Sequence, residues 1–290
     1  MSKIESSELI INPDGSIYHL HLRPQDIADT IILVGDPGRV EMISKHFTSI
    51  DVKIMNREFC THTGYYNGKR ITALSTGIGT DNIDIVLNEL DALVNIDFES
   101  RMPKKEHKSL NLVRLGTSGG LQGNVAVDSF LVSEKAIGFD GLLNFYAQRN
   151  EVAELAIEKA FTQFVDWNLL LPSPYVVSAS DKLLAKLKGN NMTGITISAP
   201  GFYGPQGRVL RLPIVDPEIN DKIEKFEFNG KKITNYEMES SALFGLSKLL
   251  GHEALTICVI IANRVNKTFS KDYKPRVEAL IQYTLDKLTE

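Results

Sequence analysis

The sequence has very little cysteine, no long apolar run and no excess of positive charge. Its only cysteines, Cys60 and Cys258, lie far apart in the 290-residue chain, which excludes a disulfide scaffold and is typical of a protein with reduced thiols. The longest apolar run lies within residues 254–262 and is interrupted by Thr256, whereas a membrane helix needs about 20 apolar residues. Residues 1–8 lack the apolar segment of a secretory signal. We therefore expect a cytoplasmic protein with no membrane partner.

The charge balance is slightly acidic. The chain has 32 lysine and arginine residues against 36 aspartate and glutamate residues, which gives a formal net charge of −4. Proteins that bind nucleic acids carry a basic surface, so we expect no nucleic-acid partner. A small anionic substrate stays possible, because a few well-placed cations are enough to bind it. The hydrophobic share of 43% and the charged share of 23% are typical of a globular protein and exclude a disordered chain.

Strand-like and helix-like segments alternate along the chain. Residues 31–34 have the composition of a buried strand, and residues 40–47 follow with apolar residues at helical spacing. Asn67-Gly68 indicates a hairpin turn between two strand-like segments. The two segments of the hairpin are residues 59–66 and 71–74. Further strands are predicted at residues 110–115, 125–132, 175–178, 194–198, 233–236 and 254–262. Further helices are predicted at residues 83–94, 150–164, 181–188, 239–250 and 275–288. In the helix at 150–164, the residues expected to face inward are Val152, Leu155, Ala156 and Phe164.

This alternation predicts an α/β fold. Strands that alternate with helices form a sheet covered on both faces, and the hairpin adds antiparallel pairing. We expect a three-layer α/β/α sandwich with a central mixed β-sheet. Neither a linker nor an internal repeat divides the chain, so residues 1–290 are predicted to form one domain. Residues 1–17 are its N-terminal extension, and the charged segment 99–108 is an exposed excursion.

Three glycine-rich turns each follow a predicted strand. They are Gly35-Asp36-Pro37-Gly38, Gly77-Ile78-Gly79 and Gly116-Thr117-Ser118-Gly119-Gly120. Ligands of open α/β sheets bind outside the carboxyl ends of the strands, and glycine lets backbone N–H groups approach an anion. Arg39 and Arg114 flank the first and third turns and offer a bidentate fork to a phosphate. The alternative is three ordinary turns with surface arginines, and none of them matches a dinucleotide or P-loop motif.

Charged residues in structured surroundings are further candidates. Arg114 lies in the context of a buried strand, where it needs either a structural ion pair or a bound anion. Glu237 and Glu239 lie at a predicted strand-to-helix junction. They either bind vicinal hydroxyls, such as those of ribose, or complement the macrodipole of the helix.

A short loop combines aromatic, amide and guanidinium groups. Phe202 offers a ring face, and Gln206 and Arg208 offer polar groups that suit the edge of a planar heterocycle; the alternative is a plain loop. His19 and His21 form a His-x-His pair with no third ligand in the sequence nearby, so we expect no metal site there. The two cysteines lie in apolar strands and are predicted to be core residues.

Taken in order, these segments resemble the uridine phosphorylase family within the nucleoside phosphorylase superfamily, from about residue 18 to the C-terminus. The segments that carry the resemblance are Tyr18-His19-Leu20, Gly35-Asp36-Pro37-Gly38-Arg39, Arg57-Glu58-Phe59, Ser75-Thr76-Gly77-Ile78-Gly79, Arg114-Leu115-Gly116-Thr117-Ser118-Gly119, Phe202 through Arg208, Asn235-Tyr236-Glu237-Met238-Glu239-Ser240 and Ile261-Ala262-Asn263-Arg264. The resemblance implies phosphorolysis of uridine to uracil and ribose 1-phosphate in pyrimidine salvage. Inorganic phosphate would be the co-substrate, without a cofactor or metal. It also implies a homodimer as the smallest active unit and a hexamer built as a trimer of dimers.

The resemblance assigns roles to individual residues. The implied phosphate ligands are Gly35, Arg39, Arg114 and Thr117, with Arg57 from a neighbouring subunit. The implied ribose ligands are Glu237, Met238 and Glu239, with His19 from the neighbouring subunit. The implied base ligands are Phe202, Gln206, Arg208 and Arg264. Catalysis would rest on Arg114 at the phosphate and on Gln206 and Arg208 at the departing base.

Two positions depart from family patterns. Purine-handling relatives usually carry an aspartate at the position of Asn263, so this residue favours a pyrimidine. The family binds a potassium ion between subunits through a glutamate and a serine. Glu58 matches the glutamate, whereas Asn82 takes the place of the serine, so the presence of this ion stays an open question. Two alternatives also stay open: a purine nucleoside phosphorylase or nucleosidase of the same fold, and a nucleoside-binding protein without catalysis.

Overall fold

The computed structural model describes residues 3–290. Its strands, in chain order, are β1 (Thr30–Val34), β2 (Ser49–Asn56), β3 (Phe59–Tyr66), β4 (Lys69–Ser75), β5 (Ile96–Asp97), β6 (Met102–Pro103), β7 (Asn111–Gly120), β8 (Phe130–Gly138), β9 (Tyr175–Ser178), β10 (Met192–Ser198), β11 (Glu227–Phe228), β12 (Lys231–Glu237), β13 (Glu253–Asn263) and β14 (Thr268–Phe269). Its helices are α1 (Pro37–Ser44), α2 (Thr80–Asn95), α3 (Arg149–Val152), α4 (Leu155–Val165), α5 (Asp181–Leu187), α6 (Ile219–Lys225), α7 (Ser240–Leu249) and α8 (Lys274–Thr289).

A 12-stranded mixed sheet forms the centre of the fold. Its order is β11-β12-β10-β8-β13-β7-β1-β4-β3-β2, with β9 beside β8 and β14 beside β13. The strands from β13 through β7 and β1 to β4 are parallel, whereas the β2–β3–β4 hairpins are antiparallel. Helix α7 packs against α2 on one side, and α8 contacts α1 and α5 on the other, while α7 and α8 both contact β13. The predicted three-layer sandwich with a mixed sheet is therefore confirmed.

The central strands are apolar because helices cover both faces of the sheet. All four residues from Ile31 to Val34 are fully buried in β1. The same core receives one face of α2, whose fully buried residues include Ile83, Val86, Leu87, Leu90 and Leu93. That face is the one expected from its helical spacing.

The strand predicted at residues 125–132 is wrong in its position. The observed strand β8 begins at Phe130 and continues to Gly138. Before it the chain turns: the Val125 N–H donates to the Gln122 carbonyl at 3.0 Å, and Asp128 adopts a φ of 64°. Val125 is buried as part of this turn, which explains why its apolar character suggested a strand.

The single helix predicted at residues 150–164 is also wrong. It is two helices, α3 and α4, separated at Ala153 and Glu154. Ala153 forms a bridge with Val177 of β9, and the Glu154 N–H donates to the Val176 carbonyl at 2.8 Å. Pairing with a strand draws these residues out of helical geometry. The break also changes the buried face of α4, which is Ile157, Phe161 and Val165. The residues expected to face inward lie outside it, since Leu155, Ala156 and Phe164 are exposed and Val152 is half-buried.

The segment 99–108 is largely exposed, as predicted. It contributes the short strand β6, which pairs with β5, and the Lys104 ammonium donates to the Val94 carbonyl at 2.9 Å. The N-terminal residues from 3 to 17 pack on the same body of the protein, with Leu9 and Ile17 buried. None of the helices in residues 3–290 combines the length and the apolar character that a membrane span requires.

Candidate active site

The carboxyl ends of three adjacent strands bring the glycine-rich segments together. Strand β1 pairs in parallel with β4 on one side and β7 on the other. A Cβ added to Gly35 would lie 3.3 Å from the Gly77 carbonyl oxygen, so the first two turns are in contact. The third glycine segment differs from the prediction, because β7 continues through it to Gly120. Arg39 lies in the first turn of α1, half-buried, and Thr117 is half-buried within β7.

A buried arginine joins two buried glutamates at this edge of the sheet. The Arg114 side chain is 6% exposed; its Nη2 donates to Glu239 Oε2, and its Nη1 lies 3.5 Å from Glu237 Oε2. Burial lowers the pKa of Arg114, but Glu239 and Glu237 together outweigh that effect and raise the pKa above its ordinary value. Within residues 3–290, Nε and Nη1 of Arg114 have no hydrogen-bond acceptor. The arginine is thus an ion-pair residue that still has donors to offer.

Glu237 and Glu239 differ in what they already bind. Glu237 accepts the N–H groups of Glu239 and Ser240, each at 3.0 Å from its Oε2, and the Ser198 hydroxyl at 2.5 Å from its Oε1. It therefore satisfies the start of α7, as one of the two interpretations of its position requires. Glu239 accepts the Gly79 N–H at 2.9 Å through Oε1. Burial raises the pKa of the Glu239 carboxyl, although Arg114 opposes the effect.

Gly116 allows the arginine to occupy this position. A Cβ on Gly116 would lie 2.2 Å from Arg114 Nη1 and 2.9 Å from Cys258 Sγ, so a side chain there would displace the guanidinium. Cys258 is fully buried, as predicted, and burial raises the pKa of its thiol to about 12. Cys60 is only half-buried, with its Sγ 3.9 Å from His62 Nε2. The prediction of two core cysteines is therefore confirmed for Cys258 alone.

The loop after β10 holds a buried amide between two arginines. Gln206 is 3% exposed, and its Oε1 accepts from Arg208 Nη1 at 2.5 Å and from Arg264 Nη2 at 3.2 Å. Arg264 Nη1 also donates to the Gln206 backbone carbonyl. The Arg208 guanidinium lies 3.6 Å from the centroid of the Phe202 ring. The structure thus brings together all four residues that the resemblance assigns to the base.

This loop has an excess of positive charge. Burial lowers the pKa of Arg208 to about 10, and repulsion from Arg264 contributes. Burial also lowers the pKa of Arg264 itself. Two partly buried cations that share one neutral oxygen are poorly compensated, so an anion that entered the loop would stabilise both.

The two residues that the resemblance assigns to a neighbouring subunit lie together on one surface patch. The Arg57 guanidinium lies 5.6 Å from the centroid of the Tyr18 ring, and Tyr18 packs edge-on against His19. The Asn56 side chain donates to the His19 carbonyl at 2.7 Å. Arg57 is exposed and adopts a φ of 56°. Glu89 accepts hydrogen bonds from His19, a role that the sequence motifs did not reveal.

The two residues considered for a potassium ion, Glu58 and Asn82, lie beside Gly77. Glu58 Cγ and Asn82 Nδ2 would lie 3.1 Å and 2.3 Å from a Cβ on Gly77. Both side chains thus lie beside the second glycine turn, and Asn82 carries an amide oxygen as well as the nitrogen. The potassium ion that the family implies stays a prediction.

A cluster of possible metal ligands lies elsewhere in the described part of the chain. It consists of Asp91, His107 and His252. The Leu110 N–H donates to His252 Nδ1 at 3.2 Å, so a neutral His252 carries its proton on Nε2, which lies 3.3 Å from Asp91 Oδ1. A metal would need the Nε2 lone pair instead, so the hydrogen bond from Leu110 argues against a metal at His252. Nε2 lies within ion-pair distance of Asp91 but has no hydrogen-bond acceptor among residues 3–290.

Asn263, the last residue of β13, binds the turn formed by residues 122–125. Its Nδ2 donates to the carbonyls of Gln122 and Val125 at 2.8 and 2.7 Å, and its Oδ1 accepts the Asn266 N–H at 2.9 Å. An ionised aspartate would turn an oxygen toward two carbonyl oxygens. The architecture of this turn thus selects an amide at the position.

Two side chains that bind candidate site residues, Ser198 and Glu89, belong to none of the sequence motifs. Ser198, whose hydroxyl donates to Glu237, ends β10 opposite that residue in the parallel pair with β12. A polar residue at the carboxyl end of a buried strand is the signal that could have identified it. Glu89 carries no family motif, but its neighbours at helical spacing are the apolar residues Ile85, Val86, Ala92 and Leu93. A carboxylate among apolar helical neighbours is the signal that could have identified it.

Comparisons with known proteins agree with this geometry. The model of the phosphorylase superfamily matches residues 29–286. A uridine phosphorylase of Thermococcus kodakarensis is 28% identical over 93% of this chain and 86% of its own length. A purine nucleoside phosphorylase of the DeoD type from Listeria welshimeri is also 28% identical, over 83% of this chain and 85% of its own length. A Trypanosoma brucei nucleoside phosphorylase, whose crystal structure is described as showing uridine phosphorylase activity, superposes with a TM-score of 0.84 and 29% identity, covering 97% of this chain and 99% of its own.

The chain belongs to the phosphorylase superfamily, and its relatives there are nucleoside phosphorylases. It is thus assigned to the pentosyltransferases, and among them to the phosphorylases, which act on a nucleoside with phosphate as the second substrate.

Proposed function

We propose that this protein catalyses the phosphorolysis of uridine to uracil and ribose 1-phosphate. The observation that carries the proposal is the loop in which Arg208 and Arg264 share the Oε1 atom of the buried Gln206. Such a loop stabilises an anion, and uracil departs from the sugar as an anion. The relatives named as uridine phosphorylases support the same substrate.

The phosphate would bind where the glycine segments meet. Gly35 offers its backbone, Thr117 its hydroxyl and Arg39 its guanidinium, while Arg114 supplies the buried donors that lack an acceptor within residues 3–290. Arg57 of the adjacent subunit would complete the set. A phosphate held in this way has few orientations, so binding places its oxygen for attack on the sugar.

The ribose would lie over the carboxylates at the start of α7. Glu239 would accept from the vicinal hydroxyls, with the Met238 side chain against the ring, and Glu237 would hold the start of the helix and with it the position of Glu239. His19 of the adjacent subunit would meet the 5′-hydroxyl. The carbon C1′ passes through an oxocarbenium-like state, which the phosphate on one face and Glu239 nearby stabilise.

The base would lie in the loop against Phe202. A phosphate oxygen forms its bond to C1′ as the bond from C1′ to N1 of uracil breaks, and the electron pair moves into the uracil ring. Arg208 would turn from Gln206 Oε1 to a uracil carbonyl, and this movement frees Oε1 to accept the base N3–H. Donors aimed at charge that develops in the transition state contribute most to catalysis. The proton that hydrogen phosphate gives up balances the one that uracil gains.

We also propose the organisation that this mechanism needs. A site that takes Arg57 and His19 from an adjacent subunit requires at least a homodimer, and the resemblance extends this to a hexamer built as a trimer of dimers. Residues 1–290 would act as one domain. Its location would be the cytoplasm, where it would act in pyrimidine salvage.

An assay of base release tests the proposal. Purified protein is incubated with uridine, inosine or adenosine, each with and without inorganic phosphate, and the free base and ribose 1-phosphate are quantified. We expect phosphate-dependent release of uracil and little release of a purine base. Phosphate-independent release would identify a nucleosidase, and no release would identify a binding protein.

A purine substrate is the second candidate because relatives of the DeoD type match at the same identity. The same assay decides between the two. Comparable specificity constants for inosine and uridine would contradict the pyrimidine assignment, since a site built to pair with one hydrogen-bond pattern discriminates by roughly 10⁴-fold or more.

A further inference from the structure

The Glu89 carboxylate binds the short segment that carries His19. Its Oε1 accepts the His19 N–H at 2.9 Å, and its Oε2 accepts the Leu20 N–H at 2.8 Å. The His19 ring joins them through Nδ1, which lies 2.6 Å from Oε1. The Glu89 side chain is 12% exposed and the His19 side chain 28%, so both belong to a partly shielded cluster.

This contact decides which ring nitrogen faces outward. A carboxylate accepts only, so the Nδ1 atom of His19 must donate to it. A neutral imidazole with its proton on Nδ1 keeps its lone pair on Nε2, where it can accept a hydrogen bond. Within the described residues, the ring of His19 bonds to protein through Nδ1, and Nε2 is left for another molecule.

Neighbouring residues also hold the His19 backbone carbonyl and one side of its ring. The Asn56 side chain donates to its carbonyl at 2.7 Å, and the Tyr18 ring stands edge-on with a centroid distance of 4.7 Å. Glu89 itself lies on α2, a helix that is held at its first turn by the bond from the Gly79 N–H to Glu239. A carboxylate on an anchored helix therefore determines where the imidazole lies and that Nδ1 is the ring nitrogen that donates to it.

We propose that Glu89 is a positioning residue that directs His19 Nε2 to the 5′-hydroxyl of the nucleoside. The inference rests on the proposed function, because it places His19 at the ribose of the adjacent subunit's site. Its consequence is specificity: the enzyme prefers nucleosides with a 5′-hydroxyl, and Glu89 is required for that preference although it does not touch the substrate.

The test compares uridine with 5′-deoxyuridine, which lacks only the hydroxyl in question. The variants are Glu89→Gln, His19→Ala, the double variant and Glu8→Gln. Glu8 lines the same cavity of about 140 Å³ beside His19, yet its carboxylate accepts a hydrogen bond from the adjacent Ser7 hydroxyl, so Glu8→Gln is the matched control. If Glu89→Gln does not fold, Glu89→Asp replaces it, since the shorter carboxylate keeps the charge and withdraws from the imidazole.

We expect Glu89→Gln to lower kcat/KM for uridine by roughly tenfold, the loss of one charge-assisted hydrogen bond, mainly through KM. The value for 5′-deoxyuridine should stay within about twofold. His19→Ala should remove the preference, and adding Glu89→Gln to it should change nothing more, because the two residues act in series. Glu8→Gln should behave like the unmodified protein.

Two results would overturn the inference. One is an equal loss of activity on both nucleosides in Glu89→Gln, which indicates a purely structural role; the other is additive losses in the double variant. If the unmodified enzyme cleaves inosine and not uridine, the proposed substrate fails, and inosine and 5′-deoxyinosine then test Glu89 in the same way. An unmodified protein that cleaves no nucleoside rejects both proposals.

Discussion

Replacing Arg114 with leucine is expected to damage stability and phosphate binding separately. The substitution leaves Glu239 buried without its cation, and the removal of one partner from a buried ion pair costs about 3–5 kcal/mol. For a chain of this size the loss corresponds to a fall in Tm of about 5–8 °C. Glu237 contributes little to this loss, because backbone N–H groups and the Ser198 hydroxyl already satisfy it.

The loss should depend on pH with a definite sign. Burial raises the pKa of Glu239 above its ordinary value, and removal of Arg114 raises it further. A raised pKa in the folded state favours folding below the unfolded pKa, and this contribution disappears as the pH rises through the folded value. Arg114→Leu should therefore be closer to the unmodified protein in Tm at pH 5 than at pH 8.

A second substitution separates the two effects. Glu239→Gln removes the charge that Arg114 neutralises, so the double variant Arg114→Leu/Glu239→Gln should recover about half or more of the lost stability. Millimolar phosphate should raise the Tm of the unmodified protein by preferential binding to the folded state, but not that of the double variant. An equal phosphate-induced rise in both proteins would refute the phosphate role of Arg114. An unchanged Tm in Arg114→Leu at both pH values would refute the ion-pair argument.

Three further outcomes are expected. Asn263→Asp should lower the free energy of unfolding by about 2–4 kcal/mol, and by more at high pH, because its ionised carboxylate faces two carbonyl oxygens; it should not gain inosine cleavage. Denaturant unfolding measures the stability and the base-release assay the activity. A stable variant that cleaves inosine would contradict the structural role of the amide. Gln206→Ala should reduce the rate on uridine by roughly 10²-fold or more, as the removal of a group at the developing charge does, without purine activity; a normal kcat would remove Gln206 from the mechanism. Arg57→Ala and Gln206→Ala, each strongly impaired alone, should together recover about a quarter of full activity after mixing and reassembly, because half of the dimers then hold one intact site. Verified mixed dimers whose activity stays at the level of the single variants would refute a site shared between subunits.

Local sequence determined the class of fold and the positions of most elements. Apolar composition alone identifies β1, because a strand that is buried on both faces is apolar throughout. Helical spacing alone identifies the buried face of α2, because a helix that is buried on one face repeats its apolar residues every three to four positions. The same signals failed at residues 125–132 and 150–164. Val125 is buried within a turn, and Ala153 leaves helical geometry to pair with Val177. No pattern in a short window reports a partner elsewhere in the chain.

The residues of the candidate site could be named from the sequence, but only the tertiary structure decided their partners. Arg114 and Glu239 are 125 positions apart and Gln206 and Arg264 are 58 apart, and sheet order brings each pair into contact. The sequence left an ion pair and an anion site as alternatives for Arg114. In the fold Arg114 pairs with Glu239, and its Nε and Nη1 atoms have no acceptor among residues 3–290. Glu89 carries no motif at all; its role arises because α2 places a carboxylate beside backbone N–H groups of a distant segment. Residue types determine which chemistry is available, whereas packing determines which groups meet and at what protonation state.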